Sequence, residues 1–345
     1  MAEPWPNSGG WLIRADAAPA IGIGHVNRAL ALARALAPRP VLIATRRDGD
    51  YRLGYQWLAE SGRPLCPLDG EADFLDLLRR CRPETLCLDI LDTGRREMGV
   101  YRTLARRVVS FEDLGPGAAL ADVVINDLYG PAPGQAHVLA GVEHALLSPA
   151  FDDASPAPGA TPERAERLLL LFGGTDPAGL VHRCLDALGR LALPVRVEVV
   201  VGPGWRRRRI RLADWGLCGR VHRDVQDMPA VMRNADLALS SAGRTVTELM
   251  VMRVPTLVLC QNERELRHTH ASARHGVCNL GLGRAVPVDR LAREIAALVA
   301  DRARREQMRA LADRAVRGRS NRAIVARIDG LLQGRSRRLD TGVTP

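Results

Sequence analysis

The chain contains no lysine, and all 49 of its basic residues are arginine. A lysine Schiff base and a lysine-bearing Walker loop are therefore excluded. So complete a replacement points to a coding bias rather than a functional choice. Aromatic residues are scarce, at 4%, which leaves little with which to stack nucleobases. The seven cysteines stand singly, with no C-x-x-C pair. A structural zinc or disulfide framework is not expected, and reduced thiols of a cytoplasmic protein are. No run of about 18 apolar residues occurs, so no membrane span is expected. Residues Met1 to Gly10 are polar and proline-bearing, without the charged-then-apolar order of a signal peptide.

What is present is a basic chain of 345 residues with a formal charge of +10. The length suits two domains, each able to bury its own core. The arginines are spread along the whole chain, so no nucleic-acid partner is expected. The one dense patch, Trp205-Arg206-Arg207-Arg208-Arg209, reads as a solvated helix start before it reads as a polyanion site. A positive site for a nucleotide-sugar diphosphate also fits the sign.

Up to about residue 150, short apolar runs alternate with amphipathic stretches. The runs are Trp11–Arg14, Val41–Thr45, Thr85–Asp89, Arg107–Phe111 and Asp122–Asn126. Between the first two, Val26, Ala29, Leu30, Ala33 and Leu36 recur at helical spacing. Residues 151–166 are rich in Pro, Ala and Asp and read as a linker. A second series starts at Arg167 and continues through Val195–Val201, Gly219–His222, Asp236–Ser240 and Thr256–Cys260. The expected fold is α/β, with two Rossmann-like domains facing a cleft. The expected boundaries are 1–150 for the first domain and 167–333 for the second, which includes a helical tail from Val288. Residues 334–345 are expected to fray.

Two stretches of the first domain stand out. Arg14 and Asp16 close the first apolar run, and Ile21-Gly22-Ile23-Gly24-His25 follows. Gly22 and Gly24 allow close backbone approach to a ligand, and His25 opens a helix. An imidazole titrates near neutrality, so it suits general-base work. Asp16 has two readings: it orients that imidazole, or it pairs with Arg14. Further runs end in polar residues, at Asp89, at Glu112 and Asp113, and at Asn126 and Asp127. Strand carboxyl ends collect functional groups in parallel sheets, although turns also favour Asp and Asn.

In the second domain, Gly173, Gly174, Thr175 and Asp176 form a turn between a strand and a helix. Thr175 can cap that helix or donate to a phosphate. The segment Ser240-Ser241-Ala242-Gly243-Arg244-Thr245 gathers small residues, backbone N–H groups and one cation at a helix start. Glu248, a turn further on, is either a helix-start acid or an acceptor for a ribose diol. Gln261 and Asn262 follow the next strand, where side-chain amides can read sugar hydroxyls or acetamido groups; they are also ordinary loop residues. His268, His270 and His275 lie on an expected helix at spacings that do not share a face, and no metal site is assigned to them.

Taken together, these segments resemble the bacterial UDP-sugar hydrolases of pseudaminic acid biosynthesis and the related spore-coat polysaccharide proteins. Their pattern is R-x-D, then G-x-G-H, then a basic residue on the helix, matched here by IRADAAPAIGIGHVNRALALARAL. The blocks TLCLD, SFEDL, ADVVINDLYG, LLLFGGTDP, ADLALSSAGRTVTEL and PTLVLCQNERE occur in the family's order, over roughly residues 11 to 285. The second-domain blocks are shared with the wider glycosyltransferase-B superfamily. The resemblance implies hydrolysis of a UDP-linked 2,4-diacetamido-2,4,6-trideoxy hexose to UDP and free sugar, with no metal or other cofactor. It implies that His25 is the base on water, and that Gly174 and Thr175 lie by the diphosphate with Ser241, Gly243 and Arg244 nearby. On the same footing Glu248 holds the ribose and Asn262 lies close to the sugar. Arg14, Gly22, Gly24, Asp89, Ala242, Thr245 and Gln261 complete the expected substrate contacts, and a monomer is the expected working unit.

Two departures from the pattern occur. Ile90 and Leu91 stand where hydrolases of this family carry His and Tyr, and the usual Asn-Gln order is reversed in Gln261-Asn262. Three readings follow, in this order: a UDP-sugar hydrolase, a glycosyltransferase of the same architecture, and a non-catalytic nucleotide-sugar-binding protein.

Overall fold

A computed structural model describes residues 10–18, 22–130, 135–157, 159–206, 209–223 and 225–340, with the side chains of 335–340 excepted. Met1–Pro6, Ile21 of the glycine turn and Arg207 and Arg208 of the arginine run lie outside the described residues. The chain forms two compact units, Met1–Pro149 with Gly318–Pro345, and Ala150–Arg317.

The first unit is a parallel sheet of β1 (Trp11–Ala15), β2 (Val41–Arg46), β3 (Leu65–Leu68), β4 (Thr85–Asp89), β5 (Arg107–Phe111), β6 (Val123–Asn126) and β7 (Val138–Ala140). Their spatial order is β3-β2-β1-β4-β5-β6-β7. The order reverses between β1 and β4, which pair from Trp11↔Thr85 to Ala15↔Asp89. Such a switch point opens a crevice at the strand carboxyl ends. Helices α1 (Gly24–Ala35), α2 (Arg52–Ala59), α3 (Glu71–Cys81) and α4 (Arg95–Leu104) alternate with the strands. The central strands are apolar on both faces, as burial between helix layers requires. Trp11, Ile13 and Ala15 pack with Val26, Ala29 and Leu32 of α1. Leu12 points the other way, to Phe74 and Leu78 of α3.

The second unit repeats the plan with β8 (Arg167–Leu171), β9 (Arg196–Val201), β10 (Cys218–Arg223), β11 (Leu237–Ser240), β12 (Thr256–Cys260) and β13 (Val277–Leu282). The order is β10-β9-β8-β11-β12-β13, all parallel. Its helices are α5 (Leu180–Gly189), α6 (Met228–Arg233), α7 (Thr245–Val251), α8 (Glu263–Leu266), α9 (Val288–Ala300) and α10 (Arg302–Ala315). Here the switch point lies between β8 and β11.

Four boundaries differ from the sequence expectation. Residues 151–166 are not a free linker but part of the second unit. The Arg305 guanidinium, fully buried, donates to the carbonyls of Pro162 and Glu163 and to those of Leu298 and Val299 at the end of α9. Two of those four acceptors, Leu298 and Val299, are among the last carbonyls of α9, which lack partners within the helix. The last helix, α11 (Asn321–Asp340), belongs to the first unit rather than to the second. Its Ile324, Val325, Ile328 and Leu332 join the apolar layer around α1, and Asn321 bonds both backbone groups of Leu147. The expected frayed tail is helical as far as Asp340; only Thr341–Pro345 lie outside the described residues. The expected helix carrying the three histidines is shorter, ending at Leu266, so His268 and His270 stand in irregular chain after α8 and His275 closes a single 3-10 turn, Ala273–His275.

Candidate active site

Each unit gathers polar side chains at the carboxyl ends of its central strands. In the first unit, alternation along β4 turns Asp89 to the α1 face, beneath the first turns of that helix. There His25 and Arg28, three residues apart on α1, reach it together. His25 Nδ1 bonds Asp89 Oδ1. Arg28 grips the same carboxylate at two points, Nε to Oδ2 at 2.6 Å and Nη2 to Oδ1 at 2.6 Å. Its Nη1 bonds Glu112 and lies 3.3 Å from Asp127 Oδ1. The guanidinium also covers the Phe111 ring at 4.8 Å.

This cluster is almost dry: Arg28 and Asp89 are 1% exposed and His25 is 5%. Burial opposes the charge on Asp89, but Arg28 and then His25 outweigh it and hold the carboxyl well below the usual range. Burial likewise opposes the charge on Arg28, and Asp89, Glu112 and Asp127 overcome it and raise its pKa. Because an ionised Asp89 accepts only, the His25 proton is assigned to Nδ1. His25 Nε2 makes no hydrogen bond to a described residue. Two residues flanking this region hold positive φ without being glycine, Leu91 at 72° and Glu112 at 51°. Such backbone costs free energy and collects at functional sites.

Of the two readings of Asp16, the structure carries the pairing with Arg14. Asp16 does not hold His25; it bonds Arg14 at 2.8 and 3.0 Å and the Arg46 backbone N–H at 2.8 Å. Arg14 is buried, pairs with Asp16, lies 3.5 Å from Glu71 and covers the Phe74 ring at 4.6 Å. Both therefore fasten β1 to its neighbours, and neither is placed as a substrate contact. Asp89, expected as a substrate contact, has its oxygens taken by His25 and Arg28. Of the acidic pair after β5, Glu112 serves Arg28, while Asp113 accepts from Thr93 N and Oγ1, Ser110 Oγ and Gly115 N. Gly22 holds φ 76° with no atom within 4 Å of where a Cβ would stand, and Gly24 begins α1.

In the second unit, the loops after β8, β11 and β12 are tied to one another. Gln261 donates to the Phe172 carbonyl at 2.9 Å and accepts from Ala178 N at 3.1 Å. Both ends of its amide are thus spent on the loop containing Gly174 and Thr175, which corrects its expected role on the sugar. Asp176 accepts from Leu180 N and Val181 N and so fills the start of α5 itself. Asn262 caps α8 through Glu265 N at 3.0 Å, with its amide nitrogen unspent. The Ser241–Arg244 segment is held from behind. Glu265 accepts from Ala242 N at 3.1 Å and Gln261 N at 2.7 Å, and also from Ser241 Oγ. His268 and His270, expected as surface or packing residues, bond the carbonyls of Ala242 (2.7 Å) and Gly243 (3.1 Å). Arg244 and Thr245 start α7. One turn on, Glu248 makes no hydrogen bond to a described side chain, and burial pushes its carboxyl up to about 7 against the pull of Arg244. A carboxyl so placed is ready to accept from a ligand's hydroxyls.

Sequence reasoning missed Arg28, Glu112 and Asp127 as one constellation, and it missed Glu265. Arg28 carried a signal, since His25 and Arg28 share a helical face.

Two parallel sheets, each with glycine-bearing loops at its switch point, define the glycosyltransferase-B fold. MurG of Acinetobacter baumannii superposes with a TM-score of 0.65 at 16% identity, covering 94% of this chain and 100% of that one. Anabaena Alr3699/HepE in complex with UDP-glucose superposes with a TM-score of 0.55 at 14% identity, covering 94% and 99%. By sequence the chain is related to the spore coat polysaccharide biosynthesis protein SpsG of Bacillus subtilis (strain 168), 26% identical over 305 residues, or 84% of this chain and 88% of that protein. It is also similar to the uncharacterized protein MJ1062 of Methanocaldococcus jannaschii, 23% identical over 271 residues. That match takes in 72% of this chain and 55% of the relative's length. No protein-family model matches the chain.

Proposed function

We propose that this chain hydrolyses a UDP-linked sugar, releasing UDP and free sugar, in surface-polysaccharide or nonulosonate biosynthesis. The observation that carries the reading is the buried His25–Asp89–Arg28 arrangement, whose free imidazole edge is that of a general base. The relation to SpsG supports the pathway class, and the UDP-glucose complex of a protein sharing the fold supports the donor class. The block similarity described above favours a 2,4-diacetamido-2,4,6-trideoxy hexose as the sugar.

The second unit holds the nucleotide: Gly243, Arg244 and Thr245 receive the diphosphate, and Glu248 accepts from the ribose hydroxyls. His25 Nε2 takes a proton from water as the water oxygen bonds the anomeric carbon. The bond from that carbon to the β-phosphate oxygen breaks, and its electron pair leaves with UDP. Asp89 stabilises the imidazolium that forms, and Arg28 keeps Asp89 ionised and in place. UDP is a good leaving group, so charge compensation by Arg244 and backbone N–H groups serves it better than an acid would.

A second reading, transfer of the sugar to an acceptor hydroxyl, is favoured by Ile90 and Leu91, which stand where the hydrolases carry His and Tyr. It uses the same base and the same leaving group. Incubating the purified protein with a panel of UDP-sugars, with and without candidate acceptors, decides between them. UDP release without acceptor is the expected result. Strict acceptor dependence replaces hydrolysis with transfer, and no release under either condition overturns both.

A further inference from the structure

Glu265 occupies an unusual position among the carboxylates of the second unit. Three donors from two different loops converge on it: Ala242 N, Ser241 Oγ and Gln261 N. Among the described residues it has no cationic partner. Most other carboxylates of the unit have one or lie in water, as Asp289 does with Arg190 and Asp313 with Arg253. Two backbone N–H groups on Oε2, with a hydroxyl on the same carboxylate, form an anion cradle. Here the protein's own side chain supplies the anion. A Cβ at Gly243 would stand 3.8 Å from Glu265 Oε1, so this carboxylate lies directly beside the segment to which the diphosphate is assigned. Burial pushes the Glu265 carboxyl up to about 7 against those three donors, so its charge is poorly compensated there.

We propose that Glu265 is a built-in competitor for the substrate's diphosphate: it fills the Ser241–Ala242–Gln261 cradle in the free protein and is expelled when a phosphate takes those donors. The inference rests on the assignment of a nucleotide diphosphate to this unit. It adds a residue that lowers ground-state affinity by occupying the site and by repelling a second anion. Glu265 is the half-buried third residue of a four-residue helix that contributes nothing to the unit's apolar core, so its side chain can leave without unpacking that core. Once expelled, it frees one hydroxyl and two backbone N–H groups at fixed positions.

A purely structural Glu265 and a competing one predict opposite signs. We expect Glu265→Ala to lower the melting temperature, because three donors lose their partner. We expect the same variant to bind UDP and inorganic pyrophosphate about 5- to 20-fold more tightly by titration calorimetry. Glu265→Gln, which keeps an acceptor oxygen but not the charge, should fold like the parent and show an intermediate gain for both. Equal or weaker binding of pyrophosphate by both variants overturns the inference. Gain for pyrophosphate with no binding of UDP by any version leaves the competitor in place and removes the UDP assignment instead. Failure of pyrophosphate to bind the parent and both variants also overturns it.

Discussion

Arg28 and Asp89 form a two-point pair inside the first unit, Nε to Oδ2 and Nη2 to Oδ1, both at 2.6 Å. The two residues lie 61 positions apart in the chain, on α1 and at the end of β4. A planar fork on a carboxylate fixes direction as well as distance. The remaining lone pairs of Asp89 can then meet His25 Nδ1 in one orientation only. The imidazole is thus positioned by a residue that it does not itself grip through a short bond.

If His25 is the base, His25→Ala should lower turnover by about 10²–10⁴ while UDP affinity stays nearly unchanged. Steady-state kinetics beside calorimetry check this. A large loss of UDP affinity would reassign His25 to holding structure. Asp89→Asn should also lower kcat with KM little changed, since an amide can present the wrong tautomer partner to the ring.

Arg28→Met leaves Asp89, Glu112 and Asp127 buried without their shared cation. Such a change costs about 3–5 kcal/mol at neutral pH. The sign with pH follows from Asp89, whose folded pKa is depressed. Its stabilising contribution is complete above the ordinary carboxyl range of about 3.9 and is lost as pH falls through the folded value. The parent's pairing is therefore constant between pH 7 and pH 4; in the variant, burial without a cation raises the three carboxyls, so they take up protons within that window and the penalty of Arg28→Met should shrink. Hydrogen exchange of α1 amides measures it without assuming that both units melt together. A penalty independent of pH would mean that Arg28 acts through packing alone.

Glu248 carries the opposite sign. Its folded pKa of about 7 lies above the unfolded value, which is near 4.3. Between those values the folded state keeps a proton that the unfolded state has lost, so stability falls as pH rises from about 4.5 to 7. Glu248→Gln should match the parent near pH 4 and exceed it by about 1–2 kcal/mol at pH 8, read from denaturant curves. Glu248→Ala should weaken UDP by about tenfold or more relative to the parent, and weaken pyrophosphate little. Equal losses for both ligands would remove Glu248 from the ribose.

The attachment of α11 to the first unit predicts a long-range effect. Ile328 is fully buried against that unit, so Ile328→Asp should cost on the order of 3 kcal/mol there. Exchange protection should fall in β1, α1 and β6 and stay unchanged in β8, β9 and β11. Loss of protection in the second unit would contradict the assignment.

The strands that the sequence made visible include every central one, where both faces are covered and the apolar run is continuous, and one edge strand, β10. Those it hid, β3, β7 and β13, all stand at sheet edges. An edge strand needs fewer apolar side chains, and β3 even carries Pro67, which an edge tolerates. The glycine turns and the histidine were legible because backbone permissiveness and reactive side chains are local properties. Asp16 was a candidate for the imidazole and Asp89 was not, because Asp16 is near His25 in sequence, whereas the face on which an acid falls depends on strand register. Likewise, Ile324, Val325, Ile328 and Leu332 announce a helix at their spacing, but periodicity does not say which core it will cover. Glu265 carried no signal, since its role depends on three donors brought together by β11 and β12.

The return of the final helix to the first unit has a consequence for synthesis. The lobe begun earliest on the ribosome is completed last, because the apolar side of α1 waits for residues made nearly three hundred positions later. The intervening lobe, by contrast, is one unbroken stretch of sequence and can mature while its neighbour is still open. A nascent chain stalled before Gly318 should therefore expose a greasy stripe to chaperones on its oldest portion, not on its newest.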